Sequence, residues 1–335
     1  MNIVVRTPNW IGDVLFSLPA VDSLRANFPD AEIWLAANDW TRDLLAGTVY
    51  SDHVLPLPSW KGIDGRRAAA RALRSRGFDI GLLLTNSFSS AWLFAAAKIP
   101  ERWGYVRDAR GPLLTKRVRP PKADPAPHMV RYYLGLLEGL GLRTVTAEIK
   151  LAVSEDERSG VRRKLASLGV DPDKKMAVLA PGAAFGPAKR WPAAKFAELS
   201  RLLRDRADAE VVLVGSAGDK ALIEEILSPP SRRVLSLAGT TSLRELLAVL
   251  SLAAVVVSND SGPMHMANAL RVPVVGIFGP TDPRVTAPFH APSTVVKKND
   301  IPCWPCLYRT CPFDHRCMTR ITADDAFAAA APFLR

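Results

Sequence analysis

The stretch "AAVVVSNDSGPMHMANAL", residues 253–270, decides how this chain is built. Its opening run of alanines and valines reads as a strand buried on both faces of a parallel sheet. Behind Asn259, Asp260, Ser261 and Gly262 the spacing of apolar residues becomes helical. Pro263 suits a first helical turn, where its missing N–H costs nothing, and Ser261 or Gly262 suits the N-cap. A strand passing into a helix through small and acidic residues is half of a βαβ unit. The uncommitted N–H groups of such a helix start, with the helix dipole, form an anion site suited to phosphate, and His265 one turn in is placed to add a donor. The same residues also make a well-capped helix with a core histidine. The stretch by itself leaves both readings open.

Outward from it the alternation repeats. Strands are expected at 176–180, 210–215, 234–239 and 274–279, with helices at about 192–205, 219–227, 242–250 and 263–270. An earlier series has strands at 2–6, 32–37, 53–57 and 80–85 and helices at about 13–27, 39–46, 65–76, 88–97 and from 128 to a glycine cap at Gly139 or Gly141. At 335 residues the chain exceeds the usual size of one core. The expectation is an α/β protein of two doubly wound, Rossmann-like parallel-sheet domains facing a central cleft. They span 1–160 and 176–335, joined by a linker region at 161–175, and the second ends in a Cys-rich segment, 303–317, and a final helix.

Ligands of open α/β sheets bind beyond the carboxyl ends of the strands, so the loops after strands carry the function. "PGAAFGPAKRWP" (181–192) holds Gly182, Ala183, Lys189 and Arg190; "VGSAGDK" (214–220) holds Gly215, Ser216 and Asp219; "FGPTDP" (278–283) adds Gly279 and Thr281. Together with the 259–265 loop they place glycine, hydroxyl and cationic groups along one sheet edge, a nucleotide-sized site. No G-x-x-x-x-G-K-[ST] and no G-x-G-x-x-G after a strand occurs, which argues against a P-loop NTPase and a standard NAD domain. "DPD" (171–173) precedes a strand and reads as a turn, not a metal-chelating motif. Near the N-terminus "RTPNWIGDVLFSLPAVDSL" puts Asp13 where a helix begins, as a first-turn acid or as a general base facing the cleft.

Hydrophobic residues make up 48% and charged residues 23%, the balance of a soluble globular protein. No run of eighteen apolar residues and no secretory signal pattern is present, so a cytoplasmic protein is expected. The net charge of +11 is concentrated: from Lys61 to Lys122 there are fourteen Lys or Arg and four Asp or Glu. Such a field attracts a polyanion or an anionic membrane surface. All four cysteines, Cys303, Cys306, Cys311 and Cys317, lie within fifteen residues, "CWPCLYRTCPFDHRC". Their economy suits a structural zinc or iron–sulfur site, although the spacing matches no standard zinc ribbon; reduced, packed thiols or a redox-sensitive pair fit equally.

The segments "IGDVLFSLPAV", "PGAAFGPAKRWP" and "SNDSGPMHMANAL…VPVVGIFGPTDP" resemble the ADP-heptose heptosyltransferases of glycosyltransferase family 9, and the middle one is most similar to their heptosyltransferase II branch. The resemblance implies a GT-B fold and a metal-independent, inverting transfer of L-glycero-D-manno-heptose from ADP-heptose to the first heptose of the lipopolysaccharide inner core, heptosyl-Kdo2-lipid A. It makes Asp13 the base and Lys189 the group that stabilises the leaving ADP. Asp260 is assigned to the heptose hydroxyls, Ser261, Gly262 and His265 to the phosphate side, and Met264, Gly182, Ala183, Arg190, Gly215, Ser216 and Asp219 to donor binding more broadly. Asp219 falls near the family's acidic position in the adenosine or ribose region, where a family member has a glutamate. The acceptor, a polyanion at the inner face of the inner membrane, is expected on Arg66, Arg67, Arg102, Arg107, Arg110, Lys116 and Arg117 of a monomeric, peripheral protein. Heptosyltransferase I, or another family 9 enzyme with a different acceptor, is the near alternative. A non-catalytic sugar-nucleotide binder and a nucleic-acid-binding protein with a zinc site are further ones; lacking helix-turn-helix or finger spacing, the chain is expected to bind no nucleic acid.

Overall fold

Two six-stranded sheets, parallel throughout, organise the chain. The computed structural model describes residues 1–57, 62–122, 126–145, 147–228 and 234–335; Lys61, at the start of the basic stretch, lies outside them. The chain divides into two compact units, Met1–Lys150 and Leu151–Arg335.

In the first unit the strands are β1 (Asn2–Arg6), β2 (Glu32–Ala37), β3 (Val54–Pro56), β4 (Ile80–Leu83), β5 (Glu101–Tyr105) and β6 (Lys116–Val118). The helices are α1 (Ile11–Asn27), α2 (Trp40–Leu45), α3 (Gly62–Arg74), α4 (Phe88–Ala96) and α5 (Met129–Gly139). Strand order β3-β2-β1-β4-β5-β6 is doubly wound, with its switch point between β1 and β4. The loop after β1 therefore delivers Asp13, the third residue of α1, to the carboxyl edge of the sheet. Gly141, at φ 77°, ends α5 in the left-handed conformation that glycine tolerates best.

The second unit has α6 (Glu155–Ser167), β7 (Met176–Ala180), α7 (Ala193–Ala207), β8 (Glu210–Leu213), α8 (Lys220–Ile226), β9 (Val234–Ser236) and α9 (Leu243–Ser251). It continues with β10 (Val255–Asn259), α10 (Gly262–Ala269), β11 (Val274–Phe278), α11 (Pro283–Thr286), β12 (Ser293–Lys297), α12 (Arg316–Thr319) and α13 (Ala323–Ala330). Its order, β12-β11-β10-β7-β8-β9, repeats the first sheet's connectivity, with the switch point between β7 and β10. Every residue of β7, β8, β10 and β11 is buried, which explains why they are almost wholly apolar, with Glu210 at the start of β8 and Ser258 and Asn259 at the end of β10 as the polar exceptions.

The linker expected at 161–175 is in part the body of α6, and the division falls at 150/151 instead of 160/161. The reason is local: α6 packs on α9, Arg244 donates to both carboxylate oxygens of Glu157 at 2.7 Å, and Lys164 reaches Glu245 at 2.7 Å. Arg244 first, outweighing desolvation, holds the Glu157 carboxyl down at about 2.

Asp22 on α1 behaves in the opposite way. Burial, the largest influence, pushes its carboxyl up to about 6, while it accepts a hydrogen bond from the Tyr50 hydroxyl. A group whose folded pKa is raised contributes stability at low pH and loses it as pH rises through the folded value. Unfolding free energy should therefore decline between about pH 4 and 6 from this group, and Asp22→Asn should flatten that slope in urea titrations; an unchanged slope removes Asp22 as its cause.

Candidate functional site

The site of the second unit is built at its switch point. Capping boxes close α6, α9 and α13 through Ser154/Glu157, Ser242/Glu245 and Thr322/Asp325. At α10 the N-cap residue, Ser261, makes no side-chain cap bond, and Pro263 lies in the first turn. Pro263 has no N–H and the Met264 N–H donates to the Ser261 carbonyl at 3.2 Å, so the helix start offers an anion the Gly262 N–H and the helix dipole.

Facing it is the loop after β7. Lys189 Nζ stands 2.6 Å from Asp260 Oδ2, with the two side chains 13% and 4% exposed, so this is a buried ion pair. The same oxygen accepts from Thr281 Oγ1 at 2.8 Å and Thr286 Oγ1 at 3.3 Å, and Asp260 Oδ1 lies 3.6 Å from His265 Nε2. Burial alone would raise the Asp260 carboxyl; the His265 hydrogen bond and the Lys189 charge together outweigh it and hold the group well below the usual carboxylate range. The result is a permanently ionised anchor that aims one cation and one imidazole at the α10 N-terminus.

Long-range bonds fix that aim. Asn259 donates to the Pro181 carbonyl at 2.7 Å and accepts from the Trp191 N–H at 3.1 Å, stitching both ends of the 181–191 loop to the end of β10. Trp191 is fully buried, packs edge-to-face on Phe196 and donates to the Ile321 carbonyl. On the outer side the Cys-rich segment grips Ala188: its N–H donates to the Arg309 carbonyl at 3.0 Å, and His315 Nε2 lies 2.7 Å from its carbonyl. Gly186, at φ 156°, lets the Arg309 carbonyl approach where a Cβ would collide. Two cations lie near the Phe185 ring, Lys189 at 5.0 Å and the exposed Arg309 at 5.3 Å from its centroid.

The adjoining loops close through Asp219, whose Oδ2 accepts from the Ser216 N–H (2.9 Å) and hydroxyl (2.7 Å), and which has Arg190 at 3.6 Å. Gly182 has no room for a side chain, because its Cβ would stand 2.7 Å from that carboxylate. Gly215 backs the same carboxylate. Ala183 is buried in the 181–191 loop.

Lys189, Arg190, Gly182, Ala183, Gly215, Ser216, Asp219, Asp260 and Ser261 thus belong to segments directly after strands of one sheet, and Gly262 and His265 to the first turns of α10 behind β10. Met264 corrects the expectation: its side chain is fully buried and packs against Gly276, leaving only its backbone at the helix start. Arg110 is a second correction. It is fully buried and donates to the Tyr105 carbonyl at 2.8 Å and to the Thr85 carbonyl, so it braces the β4 and β5 ends and cannot meet an acceptor. Arg102 is spent in part on the Leu113 and Pro100 carbonyls, Arg117 on Leu114, and Lys116 lies over the Trp103 ring. Arg66, Arg67 and Arg107 are exposed. Asn259, Thr281, Thr286, His315 and Arg309 are site residues to which no local pattern gave a role, although Asn259 and Thr281 sat in loops already read and Arg309 and His315 in the Cys-rich segment.

The four thiols, all free, line one cavity of about 20 Å³ with Ala188 and His315. Among the described residues no group of three or more His, Cys, Asp or Glu is arranged to hold a metal ion. Burial pushes the Cys317 thiol up to about 11, with the other three cysteines adding to the shift.

His315 holds the lysine loop from outside, and its own backbone is left-handed at φ 58°. Asparagine tolerates that conformation but is too short to reach Ala188. His315→Asn should therefore weaken donor binding by about five- to tenfold, the worth of one hydrogen bond, and leave acceptor KM alone. Calorimetric titration with the donor checks this; equal affinities would show that the loop holds itself.

The comparisons agree with this architecture. The model of glycosyltransferase family 9 (heptosyltransferase) matches residues 66–316. Lipopolysaccharide heptosyltransferase 2 of Escherichia coli K12 is 34% identical over 311 residues, covering 89% of this chain and 88% of that one. Lipooligosaccharide heptosyltransferase 2 of Haemophilus influenzae is 31% identical over 313 residues, with 89% and 88% covered. The solved E. coli ADP-heptose lps heptosyltransferase II superposes with a TM-score of 0.85 at 31% identity, covering 100% of this chain and 98% of that one. The fold is that of GT-B glycosyltransferases. The chain belongs to glycosyltransferase family 9, the heptosyltransferases.

Proposed function

We propose that this enzyme transfers heptose from ADP-heptose to the first heptose of the lipopolysaccharide inner core, with inversion, at the inner face of the inner membrane. The observation that carries the donor half is the buried Lys189–Asp260 pair beside the uncapped start of α10. A diphosphate at that helix start meets the Gly262 N–H, the helix dipole and Lys189, which take up the charge developing on departing ADP. Asp13 accepts the proton of the acceptor hydroxyl as its oxygen bonds to the anomeric carbon and the bond from that carbon to the diphosphate breaks. Asp260 holds Lys189 in place, and the sugar hydroxyls reach it by replacing the Thr281 and Thr286 bonds. The step needs no metal and a single copy of the chain. The names of the relatives, heptosyltransferase 2, support the second heptose as the one added.

Incubation with ADP-heptose and either Kdo2-lipid A or its mono-heptosylated form tests the reading. Extension of the mono-heptosylated form alone is expected. Extension of Kdo2-lipid A alone overturns it in favour of heptosyltransferase I chemistry, and no extension of either removes the activity. A structural zinc or iron on the four cysteines is tested separately, by elemental analysis of the purified protein.

A further inference from the structure

The basic stretch contains a groove that shares Arg66 and Arg67 with the expected acceptor surface and continues past them along α3. Helix α3, "GIDGRRAAARALR", buries only Ala69 and Leu73 and turns a ring of arginines outward. Between it and α4 runs a groove of about 450 Å³ lined by Ile63, Arg66, Arg67, Arg71, Arg74 and Trp92. Its two large apolar residues are exposed, Ile63 at 68% and Trp92 at 36%; Phe88, outside the groove but one turn before Trp92 on α4, is 49% accessible. Arg66 lies over the Trp92 ring at 5.9 Å, and Arg74 donates to the Ala96 carbonyl at 2.8 Å, tying the two helices together. The only acid on α3 is Asp64, 3.9 Å from Arg67.

We infer that the α3–α4 groove seats the protein on an anionic phospholipid bilayer. An interfacial helix is amphipathic, low in overall hydrophobicity and arginine-rich on its polar face. Tryptophan with arginine beside it matches the headgroup boundary, where the ring stays half wet and the guanidinium meets phosphate. Cationic side chains near an anionic leaflet each add to binding and fall silent in salt. A nucleic-acid surface would string aromatic rings along a basic track, and here one tryptophan and one isoleucine sit in a groove four arginines wide. The inference rests on the proposed lipid-borne acceptor, which places the enzyme's work at a membrane, but its test uses neither donor nor acceptor.

Sucrose-loaded vesicles of phosphatidylcholine, alone or mixed with phosphatidylglycerol, are sedimented with the full chain. The protein should pellet with the mixed vesicles only and be released by salt. Arg71→Glu and the pair Ile63→Ser/Trp92→Ser should each weaken partition by about tenfold or more, with melting temperatures unchanged because these side chains are exposed. Their KM for acceptor presented in vesicles should rise, while KM for a deacylated, soluble acceptor stays the same. Equal partition of wild type and variants, or equal binding to neutral vesicles, overturns the inference. So does an equal rise in KM for soluble acceptor, which would make the groove part of the sugar site, or loss of duplex DNA retention in the variants with vesicle binding intact. If wild type binds anionic vesicles through this groove yet extends no acceptor, the functional reading fails and the docking surface stands.

Discussion

Lys189→Ala should lower kcat for heptose transfer by about 10²–10³-fold, the range seen when one preorganised charge donor is removed from a developing anion. The same change leaves the Asp260 carboxylate buried with its hydrogen bonds but without its cation, at a stability cost of about 3–5 kcal/mol. These two effects are separable. Replacing the pair together, Lys189→Met with Asp260→Asn, removes the stranded charge and should return most of the stability, since a neutral pair of similar volume avoids the desolvation penalty. Activity should stay low, because the Lys189 charge is then missing beside the diphosphate. Denaturant titration and steady-state kinetics on the two variants give four numbers. Recovery of activity along with stability would mean that Lys189 acts only as a counter-ion, and a kcat within about threefold of wild type in the single variant would remove it from the transition state.

This pair also marks the limit of what a sequence displays. Asp260 and Lys189 were visible separately, because each follows a strand whose apolar run is unmistakable: β10 and β7 are buried on both faces and carry no polar residue before Ser258. Their salt bridge spans seventy-one positions and follows from strand order, which places β7 beside β10. No local pattern encodes Asn259 bridging Pro181 and Trp191, or His315 reaching Ala188, for the same reason. β5, "ERWGY", β6, "KRV", and β12, "STVVK", escaped the apolar-run criterion. β6 and β12 are outer strands with solvent on one side, and β5 starts on charged residues, so none needs a continuous hydrophobic stretch. Arg110 is the inverse case: an arginine in a basic stretch looks like surface, and only the carbonyls of Tyr105 and Thr85 around it explain why it is fully buried.

Asp13→Asn should cost about 10²–10⁴-fold in kcat with donor affinity unchanged, which is the signature of a lost general base. The position invites a simpler account, since an acid in the first turn of α1 interacts well with the helix dipole. That account predicts something different: a stability loss of about 0.3–1 kcal/mol and no defect in transfer. Asparagine separates them, because it keeps the size and an acceptor oxygen while losing the ability to take a proton. Asp13 lies close enough to Tyr133 for its charge to add to the burial that, as the larger influence, drives the Tyr133 phenol well above its ordinary value. Tyr133 therefore stays protonated beside it and does not compete as the base. Asp13→Ala opens space for a small carboxylate from solution, and added formate should restore part of the rate if the missing function is proton abstraction. Formate rescue in Asp13→Ala with none in Lys189→Ala would assign the proton to Asp13; full activity in Asp13→Asn would leave the residue as a helix-start acid and nothing more.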